Sequence, residues 1–209
     1  MAETTGGPFI VGVSGGSAAG KTMVANMLAE RLSEEGALVI GVDRYFLDRS
    51  ALPPEERARL NYDVPEALNF AQLAVDISTL KAGRPVALPV YDYCHHAATP
   101  DAERVEPAPV IIVEGILLFY PQPIQPLLDY RIFVNAERDI RLARRIARDT
   151  VERGRSEESV IRQFIETVEP AFEKYTLPTR SQADVTLDWD VKDRGAINRL
   201  ADAIRSRVI

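Results

Sequence analysis

A glycine-rich segment near the N-terminus constrains the fold of this chain more than any other feature. Residues 15–22 read Gly-Gly-Ser-Ala-Ala-Gly-Lys-Thr, which matches the pattern G-x-x-x-x-G-K-[ST]. The apolar run Phe9 to Val13 precedes the segment, and a helical pattern follows it. A strand, a glycine-rich turn and a helix N-terminus in this order surround an anion with backbone N–H donors. The segment therefore predicts a nucleoside triphosphate site, and its context disfavours the alternative of a chance glycine-rich turn.

Two side chains of this P-loop have separate predicted roles. Lys21 would reach the β- and γ-phosphates. Thr22 would hold Mg²⁺ through its hydroxyl, because a hard cation that bridges phosphates prefers oxygen ligands. The predicted nucleotide-binding residues are Gly15, Gly16, Ser17, Ala18, Ala19, Gly20, Lys21 and Thr22.

Length and charge bound the class of protein. The 209 residues suffice for one well-buried domain and are few for two. A formal net charge of -6 gives no overall attraction to nucleic acid or to an acidic membrane. The single cysteine, Cys94, excludes an internal disulfide and is typical of a reducing compartment. The most apolar region, 110–120, contains Glu114 and is too short to span a bilayer. We therefore expect one cytoplasmic domain, residues 1–209, with no nucleic-acid or membrane partner.

Strand and helix patterns alternate along the chain. The predicted strands are 9–13, 37–42, 110–113, 131–134 and 184–187, and the predicted helices follow the P-loop and cover 66–80, 137–152, 157–169 and the region from about 194. Residues 44–64 show no regular helix or strand pattern. Residues 85–109 are rich in Pro, Tyr and His and contain short stretches in which apolar and polar residues alternate, which predicts a β-hairpin flap. This order predicts an α/β fold, a P-loop NTPase-type parallel sheet with helices on both faces and right-handed crossovers.

Acidic residues follow two of the predicted strands. Asp43 comes after 37–42 and Glu114 after 110–113. In an open parallel sheet, ligands bind outside the carboxyl ends of the strands, where the P-loop also lies. Phosphoryl transfer to an alcohol needs a metal holder and a carboxylate that takes the hydroxyl proton. Asp43 and Glu114 could divide these roles, and capping of the following element is the alternative for each.

Arginines cluster on one face of the helix predicted at 137–152. Arg141, Arg144, Arg145 and Arg148 fall within one arc, and Leu142, Ala143, Ile146 and Ala147 on the remaining surface predict the face that packs on the core. Arg153 and Arg155 flank Gly154, where the helix should end. A solvated arginine face is the alternative. Beside a P-loop, guanidinium groups suit phosphate oxygens and the charge of the transition state.

Both histidines lie in the predicted flap, within the segment Tyr91-Asp92-Tyr93-Cys94-His95-His96. Neighbouring residues of a strand point to opposite faces, so these histidines do not chelate one ion easily, and the segment lacks zinc spacing. Aromatic rings with a histidine suit a nucleobase, which they can stack on and hydrogen-bond. A flap packed for structural reasons alone is the alternative.

Taken together, these segments resemble the uridine-cytidine kinase family of P-loop kinases, over nearly the full chain. The resemblance rests on the P-loop, Asn61 to Ala67, Pro89 to Tyr93, Glu114 to Leu117, the run Arg144 to Arg155 and Leu177-Pro178-Thr179. It implies transfer of the γ-phosphate of ATP or GTP to the 5′-hydroxyl of a pyrimidine nucleoside, with Mg²⁺ as cofactor. It also implies a homo-oligomer, a tetramer in this family.

The resemblance also implies roles for single residues. Asp43 matches the catalytic base, Glu114 an acid near the water shell of Mg²⁺, and Arg145 and Arg153 match arginines of a lid, here about 141–160, that face the phosphates. Residues matched to nucleoside binding are Asp63, Arg148 and Gln163 for the ribose hydroxyls, and Tyr91, Tyr93 and His96, with Arg155 nearby, for the pyrimidine.

The chain departs from the family pattern around the acceptor pocket. After its catalytic acid the family has a small residue and then Phe-Tyr, whereas this chain reads Asp43-Arg44-Tyr45-Phe46. The loop from Asp43 to Asp63 is slightly short, and Ala97-Ala98 stands where the family tends to carry a serine and a basic residue. Two other functions stay open: a kinase of another pentose-bearing alcohol, such as ribulose 5-phosphate or nicotinamide riboside, and a nucleotide-dependent switch. A GTPase switch would normally carry an N-K-x-D motif, which the sequence lacks.

Overall fold

A computed structural model of the chain describes residues 7–57, 60–92, 97–120 and 123–208. The strands are β1 Phe9–Gly15, β2 Ala37–Gly41, β3 Val86–Asp92, β4 Ala97–Val105, β5 Val110–Glu114, β6 Tyr130–Asn135 and β7 Val185–Asp188. The α-helices are α1 Lys21–Arg31, α2 Pro54–Arg57, α3 Phe70–Lys81, α4 Arg138–Glu152, α5 Glu157–Gln163, α6 Glu169–Ala171 and α7 Arg194–Val208. None of the helices in these ranges has the length and apolar character that a membrane span requires.

The main sheet is parallel throughout, with strand order β2-β5-β1-β6-β7. β5 pairs with both β1 and β2, and its residues Val110 to Val113 are fully buried. Continuous apolar character is what a strand covered on both faces requires. The predicted parallel sheet is therefore confirmed, with strand ends within two residues of those expected.

Helices cover both faces of the sheet. One hydrophobic cluster joins the sheet to α3 through Leu73, Ile77 and Leu80. The other joins it to α1 and α7, for example through Leu28 and Ile197. Both faces are thus buried, as the alternation of strands and helices predicts.

The antiparallel hairpin of β3 and β4 lies outside the main sheet, as predicted for 85–109. Val86 pairs with Val105 and Asp92 with Ala97, and the register shifts between Pro89 and Tyr91. The guanidinium of Arg44 ties the hairpin to the turn after β2, because it donates to Glu103 at 2.7 Å and to the Pro89 carbonyl at 3.4 Å.

Two helices differ from the expected bounds. The helix predicted at 66–80 begins at Phe70, because Asn69 caps it by accepting a hydrogen bond from the Gln72 N–H, while Pro65–Ala67 form a 3-10 turn. The helix predicted at 157–169 continues as π-helical Phe164–Val168, α6, π-helical Phe172–Thr176 and 3-10 Leu177–Gln182. Pro170 lies in α6 between the two π segments and has no N–H to donate, which interrupts the regular hydrogen-bond ladder.

The predicted orientation of α4 is wrong. Its buried residues are Arg141, Arg145 and Asp149, whereas Ala143 and Ala147 are exposed. The guanidinium groups tolerate burial because they are paired; Arg141, for example, donates to Glu169 Oε1 at 2.7 Å and to the Ala136 carbonyl at 3.1 Å. Helix α4 thus turns its charged face inward.

Candidate active site

The P-loop connects β1 to α1 as predicted. Gly20, the residue before α1, has a φ of 107°, in the left-handed region that favours glycine. A Cβ at this position would lie 2.6 Å from Cδ1 of Trp189, so no larger residue fits. The tight turn depends on a contact with the segment after β7 as well as on local sequence.

Lys21 lies at the start of α1 and is 8% exposed. Its Nζ donates a hydrogen bond of 2.9 Å to the carbonyl oxygen of Gly16 within the same loop. Burial lowers the pKa of Lys21, while the carboxylates of Glu114 and Asp43 act in the opposite direction. The ammonium is thus held inside the loop, near the carboxylates of Glu114 at the end of β5 and Asp43 in the turn after β2.

Thr22 and Glu114 bring two oxygen ligands together. Thr22 Oγ1 donates to Glu114 Oε1 at 2.8 Å, which joins the first turn of α1 to the end of β5. Burial raises the pKa of Glu114, and Lys21 lowers it. A hydroxyl and a carboxylate at the mouth of a P-loop fit the oxygen preference of Mg²⁺. Among the described residues, no group of three His, Cys, Asp or Glu could hold a metal, so other ligands would have to come from phosphates and water.

Two further carboxylates stand in the wall of the same cleft. Asp43 lies in the 3-10 turn Val42–Tyr45 directly after β2, and Asp63 lies in the loop before Pro65–Ala67. Burial raises the pKa of both groups, and Lys21 and Arg148 partly offset this effect at each. Such carboxylates are better proton acceptors near neutral pH than exposed ones.

Arg145, one of the two arginines predicted for the lid, contacts the P-loop directly. Arg145 Nη1 donates to Ser17 Oγ at 2.6 Å, and its Nη2 donates to Gln163 Oε1 at 2.9 Å. Arg155 Nη1 also donates to Gln163 Oε1. Burial lowers the pKa of Arg145, although Asp63 and Asp149 oppose the change. Gln163 therefore holds two guanidinium groups side by side.

One cleft of about 930 Å³ gathers most of the predicted site. The predicted residues that line it are Ser17, Ala18, Gly20, Lys21, Thr22, Asp43, Asp63, Tyr91, Glu114, Arg145, Arg148, Arg153, Arg155 and Gln163. Gly15, Gly16 and Ala19 do not line it. Tyr93 and His96 lie outside the described residues. The same holds for Cys94 to His96, for which the sequence predicts no zinc site.

The structure adds residues that the sequence did not single out. Phe46 lines the cleft and packs its ring 5.6 Å from both Tyr62 and Tyr91, which also line it. Tyr45 instead points into the core, where its hydroxyl donates to Asp76 Oδ2 at 2.8 Å. The sequence showed that Tyr45-Phe46 departs from the Phe-Tyr order of the family. It did not show which of the two rings faces the cleft.

Arg144 and Arg141 both contact the backbone side of the P-loop. Arg144 donates to the carbonyls of Ala19 at 3.1 Å, Trp189 at 2.7 Å and Asp190 at 3.0 Å. The Arg141 side chain packs against Gly16, because a Cβ on that glycine would lie 3.0 Å from Nη1 of Arg141. Neither role was predicted, because a charged helix face does not reveal which backbone groups lie opposite.

Comparison with known proteins identifies the family. The family model described as "Phosphoribulokinase / Uridine kinase family" matches residues 10–193. The chain belongs to the phosphoribulokinase/uridine kinase family. A protein of this family named uridine kinase, from Chloroflexus aurantiacus, is 47% identical over 199 residues, which cover 95% of each chain. Another uridine kinase, from Lactococcus lactis subsp. cremoris, is 40% identical over 198 residues, with 95% of this chain and 96% of the relative covered.

A solved structure confirms the fold expected for this family. The structure described as a possible uridine kinase from Bacillus stearothermophilus superposes with a TM-score of 0.64, covers 90% of this chain and 92% of that one, and is 21% identical. Membership of this kinase family implies that the protein uses a nucleotide as phosphate donor.

Proposed function

We propose that this protein transfers the γ-phosphate of ATP or GTP to the 5′-hydroxyl of uridine and cytidine, giving UMP and CMP in pyrimidine salvage. The observation that carries the proposal is that one cleft is lined both by Lys21 of the P-loop and by the aromatic rings of Phe46, Tyr62 and Tyr91. Asp43 and Asp63 line the cleft as well. The uridine kinase names of the relatives at 47% and 40% identity support this choice of acceptor.

The P-loop and the lid arginines would act on the triphosphate. Within the part of the chain that the structure describes, the hydrogen-bond partner of Lys21 Nζ is the backbone carbonyl of Gly16, and this bond can be exchanged for bonds to phosphate oxygens. Arg145 and Arg153 would neutralise charge on the transferred phosphoryl group, because guanidinium donors suit phosphate oxygens. We assign both arginines, together with Lys21, to catalysis.

Asp43 would take the proton from the attacking 5′-hydroxyl. Its pKa, raised by burial, makes its carboxylate a stronger base than an exposed aspartate. Thr22 and Glu114 would hold Mg²⁺, directly or through its water shell. When bound, this ion neutralises charge on the β- and γ-phosphates.

Other residues that line the cleft would bind the nucleoside. Asp63, Arg148 and Gln163 offer acceptors and donors for two vicinal ribose hydroxyls. The rings of Phe46, Tyr62 and Tyr91 offer a surface on which a base can pack. Tyr93, His96 and Arg155 complete the proposed base site.

The wider organisation belongs to the same proposal. Residues 1–209 would form one P-loop kinase domain, in which 85–109 is a nucleoside-binding flap and about 141–160 a lid. By resemblance to its family, the enzyme would act in the cytoplasm as a homotetramer.

A substrate panel tests the proposed function. Purified protein with ATP and Mg²⁺ is offered uridine, cytidine, adenosine, nicotinamide riboside and ribulose 5-phosphate, and products are resolved by chromatography and ³¹P NMR. We expect UMP and CMP, and no such product from Lys21→Ala. Lys174→Ala is the matched control, because Lys174 stacks on the ring of Tyr175 and does not line the cleft. Preferred turnover of another acceptor, or hydrolysis of ATP without any acceptor, would overturn the proposal.

A further inference from the structure

The carboxylate of Asp149 lies at the centre of the arginine cluster. The Asp149 side chain is fully buried, with 0% exposure, in the last turn of α4. Arg148 Nε donates to Asp149 Oδ1 at 2.8 Å. Ion-pair contacts join the carboxylate to Arg145 Nε at 3.4 Å, Arg153 Nη1 at 3.5 Å and Arg155 Nη1 at 3.8 Å.

The four arginines share a second property. Arg145, Arg148, Arg153 and Arg155 all line the cleft, whereas Asp149 does not. The carboxylate stands behind these side chains and does not reach the space where substrates would bind. Any effect of Asp149 on the reaction therefore has to act through the arginines.

A carboxylate at this place is unfavourable on local grounds. The C-terminal end of a helix carries partial negative charge, which repels an anion. Burial of an unpaired charge is also costly. Attraction to the surrounding guanidinium groups offsets these penalties, and the carboxylate in turn reduces the repulsion among four like charges.

The contacts differ in geometry. Arg148 has a hydrogen bond to Asp149, whereas the other three guanidinium groups lie at 3.4 to 3.8 Å. Ion pairs of this length supply electrostatic attraction but do little to fix the orientation of the guanidinium groups. Asp149 thus gathers these arginines by charge, while hydrogen bonds to Ser17 and Gln163 set the direction of the Arg145 guanidinium.

We propose that Asp149 is a positioning residue, which holds Arg145, Arg148, Arg153 and Arg155 together around the site of phosphoryl transfer. This inference rests on the proposed function, because it takes the reaction to be phosphoryl transfer. Its central element, convergence of four cations on one buried carboxylate, does not depend on the nature of the acceptor.

The test compares Asp149→Asn with Asp139→Asn, a control on the same helix with a side chain that is 90% exposed. We expect Asp149→Asn to lower kcat about 10- to 100-fold, because a small misplacement of catalytic groups has effects of this size. The KM for ATP should change much less. A kcat equal to that of the wild type would overturn the proposal, whatever the melting temperature.

A thermal shift with inorganic tripolyphosphate separates positioning from simple support of the fold. Removing one negative charge among four arginines should leave the stabilisation by tripolyphosphate undiminished or larger in Asp149→Asn, although kcat falls. Loss of that stabilisation together with kcat would mean that the P-loop and α4 no longer form a folded anion site, so Asp149 would support the fold as a whole, and the positioning role would be refuted.

A double-mutant cycle tests whether Asp149 acts on the reaction through the arginines. The effect of Asp149→Asn on kcat should shrink in an Arg153→Ala background, and full additivity would count against the proposal.

If Asp149→Asn does not fold, Asp149→Glu keeps the charge but displaces the carboxylate. This variant should bind tripolyphosphate and lose kcat; wild-type kcat would refute the positioning role. Failure of the wild type on uridine, by contrast, affects only the proposed substrate.

Discussion

Arg145 and Ser17 join α4 to the P-loop through a hydrogen bond of 2.6 Å from Nη1 to Oγ. The same guanidinium donates from Nη2 to Gln163 in α5. Two helices that follow each other in sequence are thereby attached to a loop more than a hundred residues earlier, at the point where phosphates would bind. Helix α4, helix α5 and the P-loop are thus joined by hydrogen bonds through Arg145.

Arg145→Ala should lower kcat more than it raises the KM for uridine, because the lost charge matters most in the transition state. Arg145→Lys should recover little, since one ammonium cannot replace the two-pronged donation to Ser17 and Gln163. Steady-state kinetics measure both effects, with exposed Arg162→Ala as the control. A pure KM effect would remove Arg145 from the catalytic group.

Asp43→Asn should lower kcat about 10²- to 10⁴-fold, with ATP and nucleoside still bound. The carboxylate has to be ionised to accept a proton, so activity is lost as the pH falls through its pKa. Burial raises the pKa of Asp43, so the acid limb of kcat/KM should lie at higher pH than for an exposed aspartate. That limb should disappear in Asp43→Asn and persist in exposed Asp101→Asn. Near-native turnover of Asp43→Asn would identify another base.

Arg148→Ala should raise the nucleoside KM, because Arg148 and Asp63 line the part of the cleft assigned to the ribose hydroxyls. For the same reason, 2′-deoxyuridine should be a poor substrate of the wild type. Arg199→Ala serves as the control, since its side chain is 72% exposed. Equal efficiency with uridine and 2′-deoxyuridine would exclude this role for both Arg148 and Asp63.

His96→Tyr should change the ratio of kcat/KM for uridine and cytidine. Uracil presents an acceptor and cytosine a donor at position 4, and a neutral imidazole can serve either through its two tautomers. An unpaired buried polar edge costs about 1–3 kcal/mol, or roughly 5- to 150-fold in the ratio. An unchanged ratio would leave His96 with no part in reading the base. This prediction rests on sequence, because His96 lies outside the described residues.

The sequence by itself determined the P-loop, the parallel sheet and the acids after β2 and β5. These features depend on local patterns: a strand before a glycine-rich turn, apolar runs of strand length, and a carboxylate at a strand end. The family followed from motifs of the same kind. Short-range patterns specify backbone conformation, and in a parallel sheet backbone conformation largely fixes where strand ends meet.

Only the tertiary structure decided which faces turn inward. Helix α4 buries Arg145 and Asp149 and exposes Ala143, against its hydrophobic pattern. Likewise Phe46, not Tyr45, faces the cleft, because Asp76 of α3 accepts the Tyr45 hydroxyl. Burial of a charged group depends on partners from distant segments, such as Ser17 and Gln163 for Arg145. Helical periodicity contains no information on those partners, so the arginine cluster around Asp149 emerged only once the chain was folded.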